Sequence, residues 1–443
     1  MIILYLLLSI VLIVFLTVRW RVHPFIALLL AAIFYGFAAG MPMPKIIESI
    51  NGGFGDTLGK IGLLIVIGVI IGAFLENSGG AFALAEKVLR VIGKKRVPTA
   101  MGILGYFVSI PVFADSGFIL LAPLNKSLSK KAGISLAGPA IAMALGLLAT
   151  HTMVPPTPGP IAAAGILGAD IGLVLLLGLP VSALALIAAL VFVKKYVSKT
   201  WIDPNPDMDE AEIMERMKDS PTAFKSALPV IVPIVLIVLK SVLVPRDGSD
   251  LAVVLKAVNF FGEPVIALLI GMFLSFFLPK KFDKNMLATS GWVGKAMSDS
   301  ASILLITGAG GIFGRILQNS GIADVLGEVL ADADLSLWLP FLLAAAIKTA
   351  QGSSTVALIT AASIMAPLMA TLGFETDLHK AMVVLVIGAG SAVVSHANDS
   401  FFWVVTQMSG MNVNTGYRLH SLGSFVLGTA AAVVLYVGYL LVS

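Results

Sequence analysis

The residues best equipped for chemistry in this 443-residue chain lie together in Ser395-His396-Ala397-Asn398-Asp399-Ser400, inside an apolar run from Met382 to Val405. Ionisable groups at membrane depth are costly, and chains keep them mainly along solute and proton paths. Three other interruptions share the pattern. Asp115 and Ser116 follow Pro111; Lys348 precedes Gln351-Gly352-Ser353-Ser354-Thr355; and His151-Thr152 opens a stretch running through Thr157 to Pro160. The prolines there (Pro155, Pro156, Pro158 and Pro160) remove helix donors and force an opening. An opened helix presents free N–H groups that suit a carboxylate, and freed carbonyls that suit a cation or hydroxyls. Together these groups fit a small polyhydroxy anion.

The expected substrate contacts are Asp115, Ser116, His151, Thr152, Thr157, Lys348, Gln351, Ser353, Ser354, Thr355, His396, Asn398 and Ser400. Lys348 is expected to meet the substrate carboxylate. Coupling to protons needs a group that changes protonation, and the candidates are Asp399, Asp115, His151 and His396. Asp399 is favoured. An ionised acid facing an anion repels it, so binding should favour the protonated form. The competing class is an intramembrane enzyme, yet no His-Glu-x-x-His and no Gly-x-Ser-x-Gly pattern occurs. A passive channel, the third class, would not need paired broken helices. There is no cysteine, so thiolate metal sites and disulfides are unavailable; no metal and no cofactor are expected.

The elements that must position these residues are membrane helices. Apolar residues make up 58% and charged residues 12%, with a mean hydropathy of +0.99. This is the composition of a bilayer protein and does not suggest a nucleic-acid partner. Ile2 to Val18 lacks the flanks of a cleaved signal and reads as a retained span. An internal repeat follows from matched positions. Pro24 and Ile26 to Leu29 recur at Pro264 and Ile266 to Leu269, and Gly72, Leu75 and Asn77-Ser78-Gly79 recur at Gly314, Leu317 and Asn319-Ser320-Gly321. Pro98 answers to Pro340, Ala122-Pro123-Leu124 to Ala366-Pro367-Leu368, and His151 to His396. The offset drifts in one direction, as small loop insertions would produce.

The predicted fold is an all-α polytopic membrane protein of two inverted-topology repeats, each with five spans plus a re-entrant hairpin and a broken helix. Residues 1–197 form the first repeat, 198–222 a cytoplasmic linker and 223–443 the second repeat. In the first, spans are expected over Ile2–Val18, Pro24–Ala39 and Ile61–Leu75, with an amphipathic stretch over Ala81–Ile92. A hairpin over Pro98–Leu124, a broken span over Leu136–Leu167 and a span over Ile171–Val193 complete it. Ten crossings with re-entrant hairpins put Arg19, Lys87, Lys94 to Arg96, Lys126 to Lys131, Lys194, Lys280 and Arg418 on one side, the cytoplasm. Asp247, Asp324, Asp332, Glu375 and Asp377 then lie opposite, with both termini outside.

Plainer roles are expected elsewhere. Asn77 and Asn319 sit where C-terminal caps belong. Lys240 and Lys256 read as interfacial, snorkelling side chains. Gly308 to Gly314 reads as a site of close helix approach.

Three strings, taken together, resemble the gluconate permease family of proton-coupled symporters, itself similar to elevator-type ion transporters. They are Thr150-His151 with Pro155-Pro156-Thr157-Pro158-Gly159-Pro160, Gly352-Ser353-Ser354-Thr355-Val356-Ala357, and Ser395-His396-Ala397-Asn398-Asp399 with Trp403. The resemblance covers nearly the whole chain. It implies uptake of gluconate or a related hydroxy acid with protons across the cell inner membrane, by a moving unit of hairpins and broken helices against a homodimeric scaffold. Asp115-Ser116-Gly117, Thr157, Lys348 and Ser400-Phe401 depart from the best-known branch. That widens the expected substrate to a small hydroxy or amino acid anion, with glycerate and D-serine as alternatives.

Overall fold

The structure, a computed structural model, describes residues 2–84, 87, 97–204, 220–243, 253–322, 325, 336–397 and 399–442. Lys94 to Arg96, most of the linker, Asp247, Asp324, Asp332 and Asn398 lie outside the described residues.

Among the described residues every regular element is helical. The N-terminal part holds α1 (Ile2–Val14), α2 (Pro24–Ala38) and the long α3 (Met43–Asn77). Next come α4 (Val97–Val108) and α5 (Ala114–Lys131), then α6 (Ala137–Met153), α7 (Pro158–Leu167) and α8 (Ile171–Lys195). The second part begins with α9 (Ala223–Leu243), α10 (Val253–Phe261), α11 (Pro264–Ser275) and α12 (Trp292–Asn319). It continues with α13 (Trp338–Gln351), α14 (Ser354–Met365), α15 (Asp377–Ala392), α16 (Ser400–Met408), the short α17 (Val413–Gly416) and α18 (Leu422–Val442).

The ten expected crossings are not all long helices. Among the described residues six helical segments are long and apolar enough to cross a membrane alone, or seven if α10 and α11, bent by 69°, count as one. Ile2–Thr17 and Pro24–Ala38 are apolar but shorter, as is the arm Val97–Val108. The expected start of the third span at Ile61 is also corrected, because α3 begins at Met43. Its polar first half reads as a loop by hydropathy, yet one face of it packs on α12. A Cβ at Gly53 would lie 2.6 Å from the Gly311 carbonyl oxygen, so the two backbones touch and only glycine fits there. The Gly308 to Gly314 run thus makes the expected close approach. Arg315, unassigned from sequence, pairs with Asp56 across the same contact.

Other plain roles change. The Asn319 amide donates to Ser49 Oγ at 2.8 Å and ties α12 to α3, whereas Asn77 donates to Ala73 within its own helix. Lys240 pairs with Glu263. The start of the linker is fastened down: Leu136 N–H donates to the Ile202 carbonyl at 2.9 Å, and the Ser135 hydroxyl donates to the Thr200 carbonyl at 2.8 Å.

Packing groups the helices into two sets. α3 lies along α12, with α2 against α12 and α11 against α3. In the other set α4 packs on α6, α13 on α15, α8 on α18, and both broken pairs meet the hairpin arms. Each first half of a broken helix is almost wholly enclosed: all but His151 of α6 is buried, as is α15 from Ala381 to Ala392. That enclosure keeps the broken ends away from lipid, where unsatisfied backbone is not tolerated.

Candidate functional site

Four short helices begin inside the molecule, and their first turns meet in pairs. α5 starts after the bend Ser109–Phe113, α7 after Val154–Thr157, α14 after Gly352–Ser353, and α16 after Val393–Asp399. The N-terminus of α5 meets that of α16, where the Ser400 hydroxyl donates to Asp115 Oδ1 at 3.2 Å. The N-terminus of α7 meets that of α14, with a Cβ on Gly159 falling 3.7 Å from Thr355 Cα. Side chains cap two of these ends. Ser353 Oγ accepts from Val356 N–H and Asp399 Oδ1 accepts from Phe401 N–H. No side chain caps α5 or α7.

The centre of the arrangement is an ion pair. Lys348 Nζ, in the last turn of α13, donates to Asp399 Oδ2 at 2.6 Å and to the Gly352 carbonyl. The lysine side chain is wholly buried and the aspartate is 6% exposed. The Ser395 hydroxyl donates to the same Asp399 oxygen at 2.5 Å, and His420 Nε2 bonds Ser395 Oγ at 3.1 Å. Ser395 is held by its backbone as well: its N–H donates to Ser424 Oγ at 3.0 Å, and its carbonyl accepts from Ser421. Val394, just before it, has φ of 47°, a strained value for a β-branched residue and one held in place by these bonds. His396 Nε2 donates to the Thr349 carbonyl at 2.7 Å, and the Trp403 indole donates to the Ala397 carbonyl at 2.8 Å. The second break is thereby stitched to both α13 and α16.

The first break is built differently. A Cβ at Gly388 of α15 would sit 2.3 Å from the Thr152 carbonyl oxygen, so the end of α6 is pressed against α15 where only glycine allows it. His151 and Thr152, expected in an opened segment, lie in the last helical turn of α6. The Thr152 hydroxyl donates to the Leu148 carbonyl at 3.0 Å and the Thr157 hydroxyl to the Val154 carbonyl at 2.6 Å. Both are buried and serve their own backbone, so the structure does not turn them toward a solute. His151 has an unpartnered, buried Nδ1 and lies within electrostatic reach of Asp399 and Lys348, as does Asp115.

A cavity of about 380 Å³ reaches the tip of the first hairpin. Asp115, Ser116 and Phe113 line its inner end, and Glu76 of α3 with Lys295 and Asp299 of α12 line its mouth. That size falls in the range of about 300–1,000 Å³ common to small-molecule sites.

The structure therefore brings together Lys348, Asp399, Asp115, Ser400 and His151, with His396 beside them. Gln351, Ser353, Ser354 and Thr355 are half-buried at the second tip, where the Gln351 amide donates to the Ser353 carbonyl at 2.9 Å. Lys348 is not an open cation as the sequence suggested. It already holds a carboxylate. Sequence reasoning missed His420, whose signal was an ionisable residue at the start of the last apolar span. It also missed Glu76 of α3 and Lys295 and Asp299 of α12, isolated charges that no motif singles out.

The model of a family described as GntP family permease matches residues 1–441. The chain is similar to a gluconate permease of Pseudomonas aeruginosa, 36% identical and covering 93% of this chain and 92% of that one. It is also similar to the D-serine transporter DsdX of Escherichia coli, 32% identical and covering 96% of this chain and 95% of that one. Among solved structures, MtrF of Neisseria gonorrhoeae, described within a class of antimetabolite efflux pumps, shares the fold with a TM-score of 0.64 at 16% identity, covering 89% of this chain and 83% of that one.

Proposed function

The chain belongs to the GntP family of permeases, a multi-pass membrane protein and not an enzyme, and from that premise we propose that it imports a small hydroxy or amino acid anion together with a proton. Gluconate and D-serine, the solutes in the relatives' names, share a carboxylate beside a carbon bearing a hydroxyl or an amine. Glycerate has the same head group. The observation that carries the reading is the buried Lys348–Asp399 pair at the meeting of the second tip and the second break.

A substrate carboxylate that takes Lys348 as its partner displaces Asp399 from that role, and Asp399 gives it up most cheaply when it takes a proton. Substrate and proton then arrive together. Gln351, Ser353, Ser354, Thr355 and Ser400, with Asp115 and Ser116 at the cavity's inner end, are the groups for the substrate's hydroxyls or amine. Asn398 belongs to the same set by its sequence position. His151 and His396 flank the pair as secondary proton-binding groups.

Two inverted repeats, residues 1–197 and 223–443 around a cytoplasmic linker at 198–222, complete the proposal. The paired packing supports it: α4 on α6 is matched by α13 on α15, α2 on α12 by α11 on α3, and α5 on α16 by α14 on α7. Such pairing is what a two-fold axis in the membrane plane would generate. In that topology the basic loops face the cytoplasm, the cavity mouth at Glu76 and Lys295 opens inward, and the inner membrane of a bacterium is the setting. The hairpins and broken helices form the moving unit of an elevator. α2, α3, α11 and α12 form the scaffold, which holds a homodimer; a monomer by mass photometry that still transports would exclude the dimer.

The deciding experiment is uptake of labelled gluconate, glycerate and D-serine by proteoliposomes with and without an inward proton gradient. Accumulation of at least one against its own gradient, dependent on the proton gradient, is expected. Gradient-independent equilibration would indicate a channel, and chemical conversion of the solute an enzyme.

A further inference from the structure

The proton that reaches Asp399 must also leave it, and the pair itself is sealed. Lys348 is fully buried, and among the described residues the side-chain bonds around Asp399 lead through Ser395 to one further titratable group, His420. Resting on the reading of Asp399 above, we propose that His420 is the far end of a relay that takes the coupled proton from Asp399 through Ser395.

The bond directions define the relay. Lys348 can only donate, so the ionised Asp399 accepts from it and from the Ser395 hydroxyl. Having given its hydrogen to Asp399, Ser395 Oγ must accept from His420, which makes Nε2 the protonated nitrogen. Nδ1 is then the bare one, and it is buried without a partner among the described residues. These directions are those left after a proton has gone. Starting from protonated Asp399 and the Nδ1–H tautomer, the carboxylic acid passes its proton to Ser395 Oγ. Ser395 passes its own hydrogen to Nε2, and the Nδ1 proton, on a nitrogen buried in this structure, passes to water when the elevator motion uncovers it. Asp399 ends ionised, Ser395 ends as a hydroxyl, and His420 ends neutral as Nε2–H. No other oxidant, reductant or co-reactant takes part.

The surroundings keep the route private. The charged groups within electrostatic reach of His420 are Asp399 and Lys348. From α16 it meets the rings of Phe401 and Phe402, at centroid distances of 5.5 and 6.2 Å. From α6 the titratable group is His151, which lies in reach of the same pair. On its own segment Arg418 is turned away to Thr200. Neighbouring Ser421 and Ser424 hold Ser395 by its backbone, so the serine hydroxyl is left free for the relay. His420 lies in a π-helical turn, Tyr417–Ser421, a distortion often found at functional positions.

The test uses the full chain in proteoliposomes, with whichever of gluconate, glycerate or D-serine the native protein accumulates and a trapped pH dye. His420→Gln keeps an N–H donor toward Ser395 but cannot titrate. Ser395→Ala leaves both ends and breaks the middle. Each should keep substrate counterflow, which needs no net proton movement. Each should lose proton-driven uptake by about a hundredfold, the low end of what a positioned proton-transfer group supplies, and should flatten its pH profile. The proposal stands if His420→Gln separates uptake from counterflow in this way, and it is overturned if His420→Gln behaves as native while Ser395→Ala alone shows the split. It is overturned if both keep native uptake and pH profile, or if both lose counterflow with uptake, the signature of a purely structural role. Asp399→Asn distinguishes the two levels. If it keeps proton-driven uptake, the coupling reading fails; if it loses uptake while the His420 and Ser395 variants behave as native, only the relay fails.

Discussion

Asp399→Asn should make the protein less stable alone and a tighter, pH-insensitive binder of its substrate. Asn retains the oxygen that caps α16 through Phe401 N–H, so the local fold of the second break survives. What it removes is the carboxylate charge bonded to Lys348, whose other hydrogen-bond partner among the described residues is the Gly352 carbonyl. Leaving one member of a buried pair unpaired costs about 3–5 kcal/mol. A substrate carboxylate restores the missing charge, so part of that cost returns as binding energy. Recovery of about 3 kcal/mol would tighten binding roughly a hundredfold, at about 1.4 kcal/mol per tenfold. In the native protein the affinity should fall as pH rises, because ionised Asp399 competes for Lys348; in the variant it should be flat. Thermal melting of the purified protein over a substrate titration, at acid and at alkaline pH, reads both effects. A variant with native stability and an unchanged pH dependence would refute the exchange of one carboxylate for another at Lys348.

Three further outcomes follow from the same geometry. Removing both charges, Lys348→Met with Asp399→Asn, should recover most of the stability lost by Asp399→Asn, since a pair removed together is often neutral, while the tight binding of that variant is lost with the ammonium; melting and binding assays on one preparation check this. Gly388→Val should destabilise the fold by at least the ~1–3 kcal/mol typical of overpacking, because even its first carbon would meet the Thr152 carbonyl at 2.3 Å; Gly55→Ala, on an exposed helical position where a Cβ meets nothing within 4 Å, controls for the glycine itself. Cysteines placed at Ala132 and Ser198 in this cysteine-free chain should be labelled from the cytoplasmic side and one at Glu375 from the other. Labelling of Ala132→Cys from outside would exclude a re-entrant first hairpin.

The positions of the breaks were legible because proline and clustered polar residues inside apolar runs admit few other readings. Gly352 and Ser353 fall between helices as expected, and the second break runs from Val393 to Asp399. What the sequence could not convey was direction. Thr152 and Thr157 look like ligands in a string of letters, yet each bonds the carbonyl a turn behind it, a choice set by rotamer and backbone. Lys348 and Asp399 are 51 residues apart, and nothing local announces that they pair. The start of α3 was lost for a related reason. Its polar half is stabilised by α12 rather than by lipid, so hydropathy alone places the helix too late.

The pair also explains why leak would be suppressed, on charge alone. With neither ligand the Lys348–Asp399 pair holds one cation and one anion and is neutral. Substrate without a proton would put two carboxylates on one ammonium in a buried place; a proton without substrate would leave Lys348 unpaired, at the cost already reckoned at about 3–5 kcal/mol. Only the empty site and the doubly loaded site escape these penalties. The two singly loaded states are therefore rarer by roughly two to three powers of ten at about 1.4 kcal/mol per power, and a carrier that moves only between its common states moves both species or neither. Reciprocity then requires that the substrate raise the affinity for the proton as much as the proton raises the affinity for the substrate. Proton uptake measured on adding substrate to the detergent-purified protein in weak buffer should be seen in the native protein and disappear in Asp399→Asn; uptake that persists in that variant would move the coupling to His151, His396 or Asp115.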